Sequence, residues 1–360
     1  MTPLVGVVGA YGAVGTSVAA ALATTHRLRV GGRDPARLAA FSGFHGVEAV
    51  VVDVDDPEQV DRFSRGCDVV VNCAGPSCRV GYAVAAGALA ADAAYIDVGG
   101  DEPMRRGLAG AARPAVLTAG LSPGLTGLLP RWLAGLLRTP AVRLRAWCGG
   151  LERFTPAAAA DMVASLDDGY GESMAAWRDG ALVRRALPPL TDAVVPPFPG
   201  RVSAYPYVST ETQRVAADLG LVDVQWYNVF AGHHALTTLN RMRADPRGTD
   251  PVAAAGLLVA AADLDLAGLR PYQLLVFELS SATECQTLTL RAEDGYRLTA
   301  MVAVAAVDLV LRGAVPDGAH LADEILDPAE VVAQLEADPG YGVLQVTPEP
   351  VTAAVEEGVL

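Results

Sequence analysis

Near its start the chain runs Leu4-Val5-Gly6-Val7-Val8, then Gly9-Ala10-Tyr11-Gly12-Ala13-Val14-Gly15, then an alanine-rich stretch from Thr16 to Thr24. An apolar strand, a glycine-rich turn and a helix, in that order, open a dinucleotide-binding βαβ unit. Glycine permits the tight turn and lets backbone N–H groups approach a pyrophosphate with no β-carbon in the way. The positive end of the following helix then faces that charged group. The spacing is GxxGxxG rather than GxGxxG, so its neighbours must support the reading.

They do. A second apolar segment, Leu28-Arg29-Val30-Gly31-Gly32, ends at Arg33-Asp34-Pro35. The second strand of an NAD-binding unit usually closes in Asp or Glu, which binds the ribose 2′-hydroxyl. Here that position carries Gly32 followed by Arg33. A guanidinium pairs with a 2′-phosphate where a carboxylate would repel it, so NADP(H) is expected in preference to NAD(H). Asp34-Pro35 reads as the start of the next helix.

The first third alternates strands and helices with short connections. Helices are expected over Asp34–Phe41, Pro57–Ser64 and Gly81–Ala91, and strands over Val47–Asp53, Asp68–Asn72, Ala94–Val98 and Ala115–Thr118. This is the pattern of a doubly wound parallel sheet that binds ligands across the C-terminal edge of its strands. Along that edge the expected cofactor contacts are Gly9, Tyr11, Gly12, Ala13, Val14, Gly15, Arg33, Asp53, Val54, Cys73, Ala74 and Gly75. Asp97 and Asp101-Glu102 lie on the same edge, within reach of the nicotinamide ribose or a substrate, or serve simply as turn-forming acids.

From about residue 140 the texture changes. Val142–Trp147 alternates as an antiparallel strand with one wet face does. Ala157–Leu166 is helical, Leu187–Gly200 is a proline-rich loop, and Val222–Phe230 is a strand. Tyr272–Ser280 and Glu284–Leu290 form a hairpin. An α+β domain on a mostly antiparallel sheet is expected. Gly295–Leu311 is a long apolar helix closed by Arg312-Gly313. It is too short, and carries Asp308, so it reads as buried rather than membrane-spanning. One more helix, Pro328–Leu335, precedes an acidic, loosely held tail. The domains are therefore placed at 1–125 (dinucleotide binding), 126–292 (substrate or dimerisation) and 293–360 (helices returning toward the first domain).

With 360 residues, 51% of them hydrophobic, the chain can bury two cores. Acidic residues outnumber basic ones 41 to 27, for a formal charge of -14, so no nucleic-acid surface is expected. All 27 basic residues are arginine. Without lysine, a lysine Schiff base and a lysine general acid are excluded. Cys67, Cys73, Cys78, Cys148 and Cys285 are odd in number and lack CxxC pairing. They read as reduced thiols of a cytoplasmic protein, with no zinc site and no disulfide framework. The first strand begins at once, so no signal peptide is expected.

GAYGAVG, the strand end VGGRD, VVVNCAGP, YIDVGGDEP and AGLSPG together resemble the saccharopine dehydrogenase family, and YRLTAMVAVAAVDLVLRGAVPDG is similar to that family's C-terminal helix and loop. The resemblance covers the nucleotide-binding third well and the middle domain poorly. It implies a Rossmann domain, a mixed α+β domain that forms a dimer or substrate surface, and hydride transfer from a nicotinamide. Activities in the broader family include reduction of C=N bonds, carrier-bound thiazoline rings and conjugated C=C bonds. The absence of lysine sets this chain apart from the lysine-pathway enzymes. Its size and arginine-rich composition suit specialised metabolism, such as the thiazolinyl imine reductases of siderophore assembly. The expected substrate is a small molecule, free or tethered to a carrier protein, bound by a homodimer with no membrane partner.

Reduction of an imine also needs a proton at nitrogen from a group within hydrogen-bond reach. His233 and His234, just after the strand ending at Phe230, are the first candidates because histidine titrates near neutral pH. Tyr207 and Glu211, with Tyr205, form a polar-aromatic cluster that either lines a pocket or packs in a core. Two other readings share the cofactor features: a reductase of conjugated C=C bonds, and a protein that holds NADP without turnover.

Overall fold

A computed structural model describes residues 2–41, 46–100, 102–165, 170–244 and 251–351. The chain divides into two compact units, Met1–Leu125 with Tyr296–Asp327, and Thr126–Gly295 with Pro328–Leu360. The first unit breaks off at residue 125, and the C-terminal segment is shared, with residues 296–327 in the first unit and residues from 328 in the second, rather than forming the one piece expected from 293 onward.

The first unit contains, in chain order, β1 (Leu4–Val8), α1 (Ala13–Leu22), β2 (Arg27–Gly32), α2 (Pro35–Leu38), β3 (Val47–Val51), α3 (Pro57–Ser64), β4 (Val69–Asn72), α4 (Ser77–Ala90), β5 (Ala94–Asp97), α5 (Glu102–Gly107) and β6 (Pro114–Leu117). With the late strand Gly318–Leu321, the described strands make a seven-stranded sheet in the order 318–321, β6, β5, β4, β1, β2, β3. Every pairing is parallel. The strand order reverses between β1 and β4, which is where such sheets open a ligand crevice at their C-terminal edge. Both β1 and β4 are buried along their whole length. Their continuous valine runs are what a parallel strand covered on both faces requires. Val8, Phe63, Val70, Val84, Tyr95 and Leu117 lie in the core beneath. The expected helix over Asp34–Phe41 is instead two short pieces, α2 and a 3-10 turn at Ala39–Phe41. Asp34 does start it, its carboxylate accepting from Ala36 N (2.9 Å) and Arg37 N (3.3 Å).

The second unit is built on a mostly antiparallel sheet. Arg143–Leu151 pairs antiparallel with Tyr272–Ser280, which forms a hairpin with Cys285–Ala292, and Val343–Thr347 closes that side. On its other side Arg143–Leu151 pairs with Asp223–Phe230 in parallel. The segment expected to be a half-wet strand is thus central. The strand Val202–Ser209 pairs antiparallel with Asp223–Phe230. The loop expected over Leu187–Gly200 contains a short strand, Leu190–Ala193, paired with Val202–Ser209. Three helices, Pro156–Ala164, His233–Ala244 and Pro251–Asp265, share a core of Ala159, Leu239, Ala255 and Leu258. The end of the described chain is tied to the sheet, as Val351 N donates to the buried Glu278 (2.7 Å), which also pairs with Arg145 (2.5 Å). The acidic tail beyond Val351 lies outside the described residues.

The Gly295–Leu311 helix is buried along Leu298, Met301, Val302, Ala306 and Val307. Among the described residues, no helix is long and apolar enough to cross a membrane.

Candidate functional site

The glycine turn holds the first helix tightly against the strand end. Gly9 has φ +77°, and a β-carbon there would lie 2.6 Å from Ala74 N. A β-carbon on Gly15 would come within 2.2 Å of Gly9 O. These two glycines are therefore demanded by the protein's own packing. Gly12 differs: its β-carbon would meet only Gly9 O, at 3.1 Å, so its open side faces away from the fold. Gly12 caps α1 in an extended conformation, with no side-chain cap and no acid in the first turn. Ala13 is exposed and Val14 half-buried. The first-turn N–H groups and the helix dipole are thus presented to an anion, and a pyrophosphate fits the site.

Beside this turn stands the end of β2. Tyr11 Oη accepts from the backbone N–H groups of Arg33 (3.0 Å) and Asp34 (3.1 Å). The Arg37 guanidinium lies 4.2 Å from the centroid of the Tyr11 ring and donates to the Tyr11 carbonyl at 2.9 Å. Arg33 and Arg37 are both exposed. The segment after β2 thus carries two exposed arginines, and the Asp34 carboxylate between them is turned to the α2 N-terminus. Arg37 was missed in the sequence. Its signal was available, since it falls one helical turn beyond Arg33.

The ends of β3 and β4 complete the edge. Asp53 makes a local turn, its Oδ1 accepting from Asp55 N (3.2 Å), while Gln59 Oε1 accepts from Asp53 N (3.0 Å). Val54 packs on the core. Ala74 N donates to Asn72 Oδ1 at 3.1 Å. Gly75 is exposed and precedes a cis Pro76. Burial and the neighbouring Asp97 push the Cys73 thiol well above its usual range, so it stays neutral. The sheet order places these strand ends side by side, so Gly9, Tyr11, Gly12, Ala13, Val14, Gly15, Arg33, Asp53, Val54, Cys73, Ala74 and Gly75 line one edge.

Asp97 is fully buried. It accepts from Asn72 Nδ2 (3.1 Å), Gly99 N (2.9 Å) and the Tyr95 hydroxyl, so it ties the ends of β4 and β5 together. Its role is to fix the edge, and Asn72 and Tyr95 were not recognised as its partners. Burial and Asp97 raise the Tyr95 phenol. Asp101 lies outside the described residues. Glu102 sits 3.6 Å from Arg105 in the first turn of α5.

In the second unit, His233 and His234 follow the strand Asp223–Phe230 and open a helix. They form the first turn of the His233–Ala244 helix, whose N–H groups at His234 and Ala235 are held by Asp265 at 2.9 and 2.8 Å. Both rings are exposed. They face an open groove of about 370 Å³ with Thr237, Arg241 and Leu257. Tyr207 and Glu211 do not line it. Tyr207 pairs across to Ser173, and burial, opposed by Arg243, lifts its phenol to about 12. Glu211 is buried and accepts from Thr126 Oγ1 at 2.6 Å.

One acid of this unit escaped the sequence reading. Glu152 directly follows the central strand, and burial together with the Asp294 carboxylate lifts its carboxyl to about 7. It can hold a proton at neutrality. No motif marks it, because its shift comes first from burial and then from an acid far along the chain. Among the described residues, no group of three or more His, Cys, Asp or Glu could hold a metal ion.

Residues 5–117 match the saccharopine dehydrogenase NADP binding domain family. The chain carries an NADP-binding domain of that kind, in a Rossmann-type α/β fold with a second, mostly antiparallel α+β unit. Among solved structures it is similar to apo histidine-tagged saccharopine dehydrogenase (L-Glu forming) from Saccharomyces cerevisiae, at 16% identity and a TM-score of 0.66, over 96% of this chain and 100% of that one. At that identity the likeness is one of fold. Serine dehydrogenase from Escherichia coli, at 17% identity and a TM-score of 0.24, overlaps 27% of this chain and 61% of its own, too little to carry an argument. A search of curated proteins found no match.

Proposed function

Starting from an NADP-binding domain of the saccharopine dehydrogenase family at residues 5–117, we propose that the chain is an NADPH-dependent reductase of a C=N bond, an imine or a carrier-bound thiazoline in specialised metabolism such as siderophore assembly. The observation that carries the cofactor half is the pairing of an anion-ready α1 N-terminus with Arg33, just after β2, and Arg37 in α2. The C=N half is supported by the family resemblance. Bound NADPH supplies a hydride to the carbon. The α1 N-terminus would receive the pyrophosphate, and Arg33 and Arg37 would pair with the 2′-phosphate through charge-assisted hydrogen bonds.

One proton must also reach the nitrogen. The His233 and His234 imidazoles are the first candidates, with Tyr207, Glu211 and Glu152 behind them. Tyr207 is poorly suited to neutral pH, since its phenol is raised to about 12, and Glu211 is already engaged with Thr126. Homodimer formation and a cytoplasmic setting belong to the same proposal.

The test is NADPH oxidation by the full chain against cyclic imines, thiazolines and enoyl thioesters. Reduction of an imine or thiazoline is expected. If only enoyl thioesters are reduced, the C=C reading replaces it; if none is consumed while NADPH binds, the chain holds the cofactor without turnover. Stopped-flow comparison of His233→Ala, His234→Ala, Tyr207→Phe, Glu211→Gln and Glu152→Gln then locates the acid. Loss of the true donor lowers kcat by about 10²–10⁴-fold with cofactor affinity intact.

A further inference from the structure

We propose that Tyr11 is the residue that sets the cofactor class: its ring stands where a β-carbon at position 32 would lie, and so keeps that position a glycine without a ribose-binding acid. The inference deepens the NADP reading of the first unit and rests on it.

Gly31 and Gly32 close β2 together, yet they are glycines for different reasons. A β-carbon on Gly31 would lie 2.6 Å from Phe63 Cε2 and 2.7 Å from Val52 Cγ1, inside the core. A β-carbon on Gly32 would lie 2.3 Å from Tyr11 Cε1 and 2.9 Å from Tyr11 Cζ, and all three of its nearest atoms belong to that ring. Position 32 is where an NAD-binding unit carries its acid. An aspartate there cannot form while the tyrosine stays in place.

The tyrosine is held firmly. Its hydroxyl accepts from two backbone N–H groups, Arg33 and Asp34, at 3.0 and 3.1 Å. Arg37 covers its face and donates to its carbonyl. Moving the ring would strip both N–H groups of their acceptor and release Arg37 from its platform. The same side chain therefore excludes the acid that NAD would need and anchors the segment bearing the two cations that NADP uses. Exclusion and attraction are set by one residue.

Titration of the full chain with NADPH and with NADH, followed by the fluorescence of the reduced nicotinamide, tests this with Gly32→Asp, Tyr11→Ala and the double variant. Gly32→Asp alone is expected to bind NADH no better than wild type. The double variant is expected to bind NADH about 10–100-fold more tightly than Gly32→Asp and to prefer it to NADPH, the worth of a charge-assisted hydrogen bond restored at the ribose. Tyr11→Phe keeps the ring and loses the acceptor, so it should weaken NADPH more than NADH. The proposal is overturned if Gly32→Asp gains NADH affinity with Tyr11 in place, or if the double variant binds NADH no better than Gly32→Asp. Should Gly32→Asp fail to fold by circular dichroism, recovery of the fold in the double variant carries the same conclusion, and a double variant that stays unfolded overturns it. A wild type that prefers NADH would instead sink the cofactor reading, and the comparison of single with double variant would still report on the gate.

Discussion

The cofactor edge of the first unit and the candidate acids of the second are assembled in opposite ways. The edge consists of short contiguous runs, 9–15, 33–37, 53–54 and 73–75, each placed at the C-terminal end of a strand by the parallel sheet. It offers backbone N–H groups, glycines and arginines, features that local sequence writes directly. In the second unit Glu152, Tyr207, Glu211 and His233 stand on different elements. Their chemistry depends on what each is packed against: Thr126 for Glu211, Asp265 for the histidine turn, Asp294 for Glu152. Phosphate recognition is legible as a motif, and proton chemistry is a property of surroundings.

Within the glycine turn that contrast can be broken most severely. Gly12→Val should eliminate detectable NADPH binding in a fluorescence titration while the apo fold survives, because its β-carbon meets little of the protein itself. Gly15→Ala should do the reverse damage, costing about 1–3 kcal/mol of stability through its collision with Gly9 O. Thermal midpoints measured beside the titration separate the two. If Gly12→Val binds NADPH normally, the phosphate site has been misplaced.

A smaller effect belongs to Arg33. Arg33→Ala should weaken NADPH by about 10–100-fold and leave NADH nearly unchanged, since the side chain is exposed and the loss is confined to pairing with the 2′-phosphate. Equal losses for both cofactors would place Arg33 elsewhere, and Arg37 would be the sole cation of the subsite.

How far the molecule could be read from its letters follows the same division. β1, the glycine turn and α1 are local, and their limits are visible as valine run, glycines and alanine-rich helix. The doubly wound order, with Asn72 beside Asp97 on neighbouring strands, follows once the βα alternation is recognised. What escaped was long-range. The parallel pairing of Arg143–Leu151 with Asp223–Phe230 joins segments about eighty residues apart, and no period in either one encodes it. Val202–Ser209 alternates buried and half-buried residues throughout, but Pro206 in its middle argues against a strand. The collision between Tyr11 and position 32 exists only after the turn and β2 have folded together.

The least of these effects lies wholly in the second unit and shows most clearly that surroundings govern its acids. Burial and the Asp294 carboxylate disfavour the charged form of Glu152, raising its folded value to about 7 from the ordinary carboxylate range. An acid raised in the folded state stabilises the fold where it is protonated in both states, below about pH 4, and loses that contribution as pH climbs toward 7. Above 7 the folded protein carries a buried charge that the unfolded chain carries at no cost. Glu152→Gln keeps the shape and removes the charge. It should match wild type near pH 4 and exceed it by about 1–2 kcal/mol at pH 8, a figure lowered from the full shift for partial exposure. Urea denaturation of both proteins across that range measures the difference directly. A gap that stays constant with pH would mean that Glu152 ionises normally and that Asp294 and burial do not govern it.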